Sequence, residues 1–148
     1  MNNPQYMSGT GNNFLVSEYE NSKTDIEIIS IVADSLFDID GVIYVEKIDS
    51  LTVKMHYYNN DGSTAELCVN GIRCVAKYAL DNSIVDSNEV TVVAPIGNIK
   101  TNIKENTVSI EVSTPTYEKN KLLIDGLECI KSNIGNPHLL VEVDNVDK

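Results

Sequence analysis

Apolar positions along the chain occur with two spacings, one typical of strands and one typical of helices. Short β-branched or alternating runs bounded by turn residues predict strands. These runs cover residues 14–19, 41–46, 52–58, 90–94, 99–103, 108–112, 122–124, 127–130 and 139–143. In the third run, Val53, Met55 and Tyr57 share one face, which predicts a half-buried strand. Residues 1–13 are rich in Asn, Gly and Ser and predict a loop.

Two segments have the i, i+3, i+4 spacing of amphipathic helices. The first follows a cap at Thr24 or Asp25 and runs to about Leu36, and we expect its apolar stripe to pack on the core. That stripe comprises Ile28, Ile29, Val32, Ala33 and Leu36. The stripe of the second helix comprises Ile72, Val75, Ala76, Ala79 and Leu80. The whole pattern predicts an α+β fold with a mostly antiparallel sheet and two helices.

Composition narrows the classes of partner and site. The 148-residue chain has a formal net charge of −11 and 11 Lys and Arg residues, so we expect neither nucleic acid nor a membrane as partner. It contains no apolar run of about 18 residues and no apolar signal core at its start. Three cysteines without a secretory signal suggest reduced thiols, and we expect a cytoplasmic protein. With two His and no CxxC pair, no metal site is expected.

Cys68 is the candidate for chemistry, because it stands between a polar turn and the second helix. Residues 59–63, Asn-Asn-Asp-Gly-Ser, form a dense turn signal after a predicted strand. The first turn of a helix exposes unpaired N–H groups and a partial positive charge. These can lower the pKa of a thiol there and can also hold a carboxylate. Cys74 lies far around the helix from Cys68 and is interpreted as structural.

Four segments in the same order resemble the diaminopimelate epimerase family. Residues 59–74 match the family pattern N-A-D-G-S-x-A-E-x-C-G-N-G-x-R-C at 11 of its positions. Residues 7–14 resemble the opening M-x-G-x-G-N-D-F, Asp40-Gly41 resembles the A-D-G segment, and residues 135–138 match G-N-P-H. The resemblance covers most of residues 6–147.

The resemblance implies a cofactor-free amino-acid epimerase, with no pyridoxal phosphate and no metal. Family members have two similar lobes, each a sheet wrapped around a central helix that begins with a cysteine. One thiolate removes the α-proton of a small amino-acid substrate while the other thiol protonates the opposite face. By this resemblance Cys68 is one catalytic thiol, and Asn12, Asn59 and Asn136 contact polar groups of the substrate. The backbone of Val69 and Asn70 would hold the α-carboxylate.

Asparagine also favours turns and caps, which is the alternative reading of all three asparagine side chains. Glu66, Arg73 and His138 match motif positions without an assigned role.

Three departures from the family pattern qualify these expectations. Val69 replaces a Gly, and residues 37–39 replace a Gly-rich stretch, which puts the distal specificity in question. The A-C-G-[ST]-G motif of the second thiol is absent, and Cys129 lacks those neighbours. We therefore expect a fragment, with residues 1–117 as the N-terminal lobe and 118–148 as the opening strands of a truncated second lobe. Their exposed edges make a homodimer possible.

Three hypotheses follow. The first is conversion of LL- to meso-diaminopimelate in lysine and peptidoglycan biosynthesis, with this fragment alone inactive. The second is a racemase for another amino acid, such as histidine or glutamate. The third is a non-catalytic domain that binds an amino acid.

Overall fold

The computed structural model describes residues 1–64, 68–143, 145 and 146. The chain divides into two compact units, Met1–Glu111 and Val112–Lys148. The predicted boundary at residue 117 lies within the second unit, and the assignment of that unit to a second lobe stays a prediction. No helix among the described residues is long and apolar enough to cross a membrane.

The first unit contains seven strands and two helices among its described residues. In chain order they are β1 (Asn2–Gly9), β2 (Asn12–Glu18), α1 (Asp25–Ala33), β3 (Gly41–Lys47), β4 (Thr52–Asn59), α2 (Val69–Asp81), β5 (Glu89–Ala94), β6 (Gly97–Lys104) and β7 (Thr107–Ile110). The strands form one sheet in sequence order. The β2–β3 and β4–β5 pairs are parallel and the other four are antiparallel. This confirms the predicted α+β class with a mostly antiparallel sheet.

Helix α2 lies at the centre of the sheet, as the resemblance implied. Its buried residues form one hydrophobic core with the inner face of the strands. The predicted stripe is confirmed at Ile72, Val75, Ala76 and Ala79, which are fully buried, while Leu80 packs at the margin of the core. Because every strand of the curled sheet can bury apolar side chains against one helix, this core determines how the unit is built.

Helix α1 covers the outer face of the sheet, and its packing corrects the predicted stripe. Only Ile28 is fully buried, and Ile31 and Val32 pack beside it against a second cluster of strand residues. Ile29 is 48% exposed and Leu36 is 83% exposed. The predicted stripe is thus confirmed at Ile28 and Val32 and wrong at Ile29, Ala33 and Leu36, because a short helix on one side of a sheet buries only a narrow line of residues. The predicted cap is confirmed at Thr24, whose side chain accepts a hydrogen bond from the Glu27 backbone N–H.

The prediction of a loop over residues 1–13 is wrong. Strand β1 pairs antiparallel with β2, and a two-residue turn at Thr10-Gly11 joins them. Both turn residues have positive φ, 51° and 93°, as a tight turn of this kind requires. An edge strand with mostly exposed polar side chains lacks the alternation that predicts strands, so its pairing depends on backbone hydrogen bonds to β2.

The second unit is a small antiparallel sheet. Its strands are β8 (Thr116–Tyr117), β9 (Leu122–Ile124), β10 (Leu127–Asn133) and β11 (Pro137–Val141). Strand β10 pairs with all three others. Cys129 is buried in this sheet, whereas Leu123, Leu127 and Leu139 are about half or more exposed.

Candidate active site

Cys68 is the N-cap of α2. Its backbone is extended, with φ −131°, and its Sγ accepts a hydrogen bond of 3.3 Å from the Gly71 N–H. A Cβ on Gly71 would lie 3.2 Å from that sulfur and 2.9 Å from Met55 Cε. The absence of a side chain at Gly71 therefore lets the sulfur sit against the helix while staying half-buried.

The structure changes the expectation that the helix terminus lowers the pKa of Cys68. Burial raises the pKa of this thiol above its ordinary value. The backbone N–H groups of Gly71 and Asn70 oppose the rise, Asp40 adds to it, and Arg73 opposes it. Loss of hydration outweighs the helix N–H groups because the sulfur packs against the core. The raised pKa therefore favours the thiol form of Cys68 at neutral pH.

Several polar residues lie together where strands β2, β3 and β4 reach one end of the sheet, which is called the site edge of the sheet. Gly41, the first residue of β3, is opposite Phe14 in β2 and opposite Asn59 in β4. Asn12 begins β2 two residues before Phe14, so it lies at the same edge as Asn59. The sheet register thus places the starts of β2 and β3 beside the end of β4.

A chain of side-chain hydrogen bonds connects α2 to this edge. Asn70 Nδ2 donates to Asn12 Oδ1 at 2.7 Å, and Asn12 Nδ2 donates to Asp40 Oδ2 at 3.2 Å. The Arg73 guanidinium donates to Asn70 Oδ1 and, at 2.7 Å, to Thr10 Oγ1. Each amide is therefore oriented from both sides, which fixes Asn12 and Asn70 relative to the helix N-terminus.

Val69 is the first residue of α2, where the family pattern has Gly. Its backbone is α-helical, a conformation that any L-residue can adopt, so the substitution causes no backbone strain. The N–H groups of the first helical turn, which include those of Val69 and Asn70, have no partner within the helix ladder. They remain suitable for an anion at this position.

Asn59 also has the structural role that its residue type favours. Its Nδ2 donates to Ser63 Oγ at 2.9 Å, and its backbone N–H bonds to the Ser63 carbonyl. Asp61 accepts hydrogen bonds from the N–H and hydroxyl of Ser63 at 2.9 and 2.6 Å. The turn before Cys68 is thus held by its own side chains.

The remaining predicted residues fall into three groups. Asn136 belongs to the second unit, where its Oδ1 lies 3.0 Å from His138 Nε2. Cys74 is 4% exposed within the first core, in keeping with a structural role. Glu66 lies outside the described residues. Within the described ranges, no group of three or more His, Cys, Asp or Glu is placed to hold a metal ion.

Asp40 and Tyr57 lie around the candidate site, and sequence reasoning assigned neither of them a role. Asp40 Oδ2 accepts hydrogen bonds from the Asn13 N–H at 2.8 Å and from the Asn12 amide. The match of Asp40-Gly41 to the family pattern was the available signal for Asp40. The alternation in β4 placed Tyr57 on the inner face, but only the folded structure shows that Cys68 packs against the same core.

Comparisons with known proteins agree with this geometry. The diaminopimelate epimerase family model matches residues 5–119. Diaminopimelate epimerase of Thermotoga maritima is 34% identical over 143 residues, covering 95% of this chain and 59% of that protein. The enzyme of Methanocella arvoryzae is 32% identical, with 95% and 58% covered. The chain thus spans about three fifths of the length of these relatives.

Solved structures show the same fold at low sequence identity. A hydroxyproline epimerase from Agrobacterium vitis superposes with a TM-score of 0.68 at 13% identity, covering 94% of this chain and 51% of that one. A Bacillus anthracis protein of the PhzF phenazine biosynthesis family gives 0.67 at 17% identity, with 96% and 55% covered. The family match extends over most of the chain and includes the turn, Cys68 and α2, and the chain belongs to the diaminopimelate epimerase family.

Proposed function

We propose that this chain supplies one acid/base half of a cofactor-independent epimerase that converts LL- to meso-diaminopimelate, with Cys68 as the proton-transferring thiol. The observation that carries the proposal is the position of Cys68. It caps α2 at the edge where Asn12, Asp40 and Asn59 meet. The reaction serves lysine and peptidoglycan synthesis.

The proposed chemistry is transfer of the α-proton between carbon and sulfur. The first-turn N–H groups at Val69 and Asn70 bind the α-carboxylate, which receives the negative charge as the α-proton leaves. In one direction a Cys68 thiolate takes the α-proton and becomes the thiol. In the other direction the Cys68 thiol gives its proton to the α-carbon and becomes the thiolate. Inversion requires a second acid/base group on the opposite face of the α-carbon.

The second group is proposed to come from a second lobe, of which residues 118–148 are the opening strands. Asn136 is the substrate contact proposed for that lobe. Homodimerisation of the chain is a further proposal, supported by exposed apolar side chains in the second unit such as Leu123, Leu127 and Leu139. The proposed reaction uses neither pyridoxal phosphate nor a metal and takes place in the cytoplasm. This chain alone is proposed to be inactive.

The raised pKa of Cys68 bears on the direction in which this half-site works. A thiol that is protonated in the resting protein is ready to donate, and its thiolate, once formed, is a strong base. The α-ammonium group of a bound substrate would lie near the sulfur and favour the thiolate. Substrate binding is thus proposed to tune the thiol towards proton removal.

The test follows α-proton exchange by NMR in deuterated water with diaminopimelate, histidine and glutamate. The samples are this chain, the product of its complete reading frame, and Cys68→Ala and Cys74→Ala variants of that product. We expect exchange of diaminopimelate by the complete product, loss of at least a thousandfold in Cys68→Ala, and retained exchange in Cys74→Ala. A Cys68→Ala variant with wild-type exchange would contradict the proposal.

A second candidate, a racemase for another amino acid, is favoured by the loop before Asp40. Phe37 stands on this loop and packs edge-on against Tyr6 with ring centroids 5.0 Å apart. Tyr6 Oη also accepts a hydrogen bond of 2.9 Å from the Leu36 N–H. These two contacts with Tyr6 fix the conformation of the loop before Asp40. Exchange of histidine or glutamate, with no exchange of diaminopimelate, would select this candidate.

A non-catalytic amino-acid-binding domain is the third candidate, because Asn12, Asn59 and the first-turn N–H groups of α2 can hold an amino acid without any proton transfer. Saturable binding of an amino acid by the complete product, with no α-proton exchange for any substrate, would select it.

A further inference from the structure

Tyr57 occupies a space that exists because residue 41 is a glycine. On the inner face of the sheet, Tyr57 is directly opposite Ile43, and Gly41 is the next residue of β3 on that face. A Cβ on Gly41 would lie 2.5 Å from Tyr57 Cε2 and 3.1 Å from Tyr57 Oη. The φ of Gly41 is not in the left-handed region, so the backbone does not require glycine there. A side chain is excluded there by the Tyr57 ring together with the Tyr58 backbone carbonyl, whose oxygen would also lie 2.5 Å from the Cβ.

The Tyr57 ring is held firmly in this position. Its edge-to-face contact with Phe14 places the two ring centroids 6.0 Å apart at 83°. Phe14 is itself buried and is the residue of β2 opposite Gly41. The ring therefore leans across Gly41 towards the edge of the sheet where Asp40 and Asn59 lie, and this fixes the direction of the hydroxyl group.

The Tyr57 ring and Cys68 both pack against the core around α2, and the Tyr57 hydroxyl reaches Gly41, the residue that follows Asp40. Burial raises the pKa of this phenol to about 12, and the thiolate form of Cys68 and the carboxylates of Asp40 and Asp61 add to the rise. Tyr57 thus stays protonated and can donate a hydrogen bond throughout the neutral range. Its ring is partly buried against the core, but its hydroxyl is not among the fully buried polar groups.

Four of the other five tyrosine hydroxyls in the first unit make hydrogen bonds to described residues, and the fifth, that of Tyr44, is buried on the opposite face of the sheet. Tyr78 donates to the Asn3 carbonyl at 2.7 Å, and Tyr58 accepts from the Lys23 N–H at 3.4 Å. Tyr57 Oη makes no hydrogen bond to any residue that the structure describes. A fixed donor beside the candidate thiol, without a partner in the described part of the chain, is suited to a ligand.

We propose that Tyr57 is a substrate-binding residue whose phenol donates a hydrogen bond to a carboxylate oxygen of the amino acid held beside Cys68. This inference rests on the proposed function, since it uses the same site. A phenol is a donor without charge, so it adds no net charge to a site that already holds Asp40 and Asp61. A hydrogen bond to a charged group contributes more than one between neutral groups, and its loss therefore lowers substrate recognition measurably.

The experiment compares Tyr57→Phe with Tyr44→Phe in the product of the complete reading frame. Each change removes one hydroxyl and keeps the ring. Tyr44 is a matched control because its hydroxyl is buried on the opposite face of the sheet, in the cluster under α1, and has no hydrogen-bond partner among the described residues. We expect Tyr57→Phe to lower kcat/KM for α-proton exchange by about 10- to 100-fold, and Tyr44→Phe to stay within twofold. Thermal unfolding should show that Tyr57→Phe remains folded at the assay temperature.

Calorimetric titration with diaminopimelate separates this inference from the proposed function. If the wild-type protein binds diaminopimelate without exchange, the proposed catalysis fails, while tenfold weaker binding by Tyr57→Phe still supports the hydrogen bond. If the wild-type protein exchanges the α-proton and Tyr57→Phe matches it in kcat/KM and affinity, the Tyr57 inference is overturned and the function stands. Absence of binding and exchange in the wild-type protein overturns both.

Discussion

Asn70 and Asn12 join the first turn of α2 to the start of β2 through a hydrogen bond of 2.7 Å from Asn70 Nδ2 to Asn12 Oδ1. The two residues are 58 positions apart in the chain. Arg73 orients Asn70 from one side and Asp40 orients Asn12 from the other. This hydrogen bond therefore fixes the position of the β1–β2 hairpin relative to the N-terminus of α2.

Replacement of Asn12 by Ala should disconnect α2 from β2. We expect a loss of about 1 kcal/mol in the free energy of unfolding, because the Asn70 amide loses its acceptor and Asp40 loses a donor. Exchange activity should fall at least tenfold, since the proposed substrate contact goes with it. Urea unfolding and α-proton exchange measure the two effects. Asn102→Ala, an exposed change on β6, is the control and should alter neither quantity.

The raised pKa of Cys68 predicts slow alkylation at neutral pH. Only the thiolate reacts with iodoacetamide, so the rate at this residue should keep rising with pH beyond the ordinary thiol pKa. Mass spectrometry of the labelled peptide identifies Cys68. Cys74 should label more slowly still, because burial raises its pKa to about 11 and its side chain is 4% exposed. A rate that reaches its plateau near neutral pH would show instead that the helix N-terminus outweighs burial.

The same buried thiols predict a loss of stability at alkaline pH. The folded pKa of Cys74 is about 11, above the 9.0 of a free thiol, so the unfolded chain loses this proton first. Stability from this group is complete below pH 9 and is lost as the pH rises from 9 towards 11. Urea titrations at pH 8, 9 and 10 should show the decline, and Cys74→Ala should make it smaller. An equal slope in the variant would assign the decline to other groups.

Gly71→Ala should reduce activity strongly while changing the free energy of unfolding only slightly. Alanine favours a helix over glycine by about 1 kcal/mol, but the new Cβ would lie 2.9 Å from Met55 Cε and 3.2 Å from Cys68 Sγ. Since the end of the Met55 side chain can move, we expect a change in the free energy of unfolding of less than about 1 kcal/mol. The displaced sulfur should reduce exchange at least tenfold. Lys77→Ala on the exposed side of α2 removes only a surface ion pair and should keep full activity.

Thr24→Ala should lower the stability of the protein without changing its activity. Removal of the N-cap side chain of α1 should destabilise the protein by about 1 kcal/mol, because the Glu27 N–H loses its acceptor. Activity should not change at temperatures where the protein stays folded, since α1 packs on the outer face of the sheet. A fall in kcat/KM without loss of stability would link α1 to the site.

Local signals in the sequence predicted most of the first unit. The spacing of Ile72, Val75 and Ala79 places one side of α2 in the core whatever surrounds it, because helix geometry brings these positions together. The turn from Asn59 to Ser63 and the cap at Thr24 were likewise predictable, since their hydrogen bonds join residues two to four positions apart. The order of turn, cysteine and helix at Cys68 was predictable for the same reason, because its signals lie close together in the sequence.

Tertiary packing decided what depends on residues distant in the chain. Strand β1 forms because its backbone pairs with β2. The side of α1 that is buried is the one that packs on Val42 and Tyr44 of the sheet. Burial against the core raises the pKa of Cys68, although its place at a helix terminus alone would lower it. The sequence by itself therefore determined the elements and the candidate thiol, whose signals are local. Only the folded sheet decided the state of that thiol and the fit of Tyr57 over Gly41, because desolvation and steric contact depend on neighbours that only folding brings together.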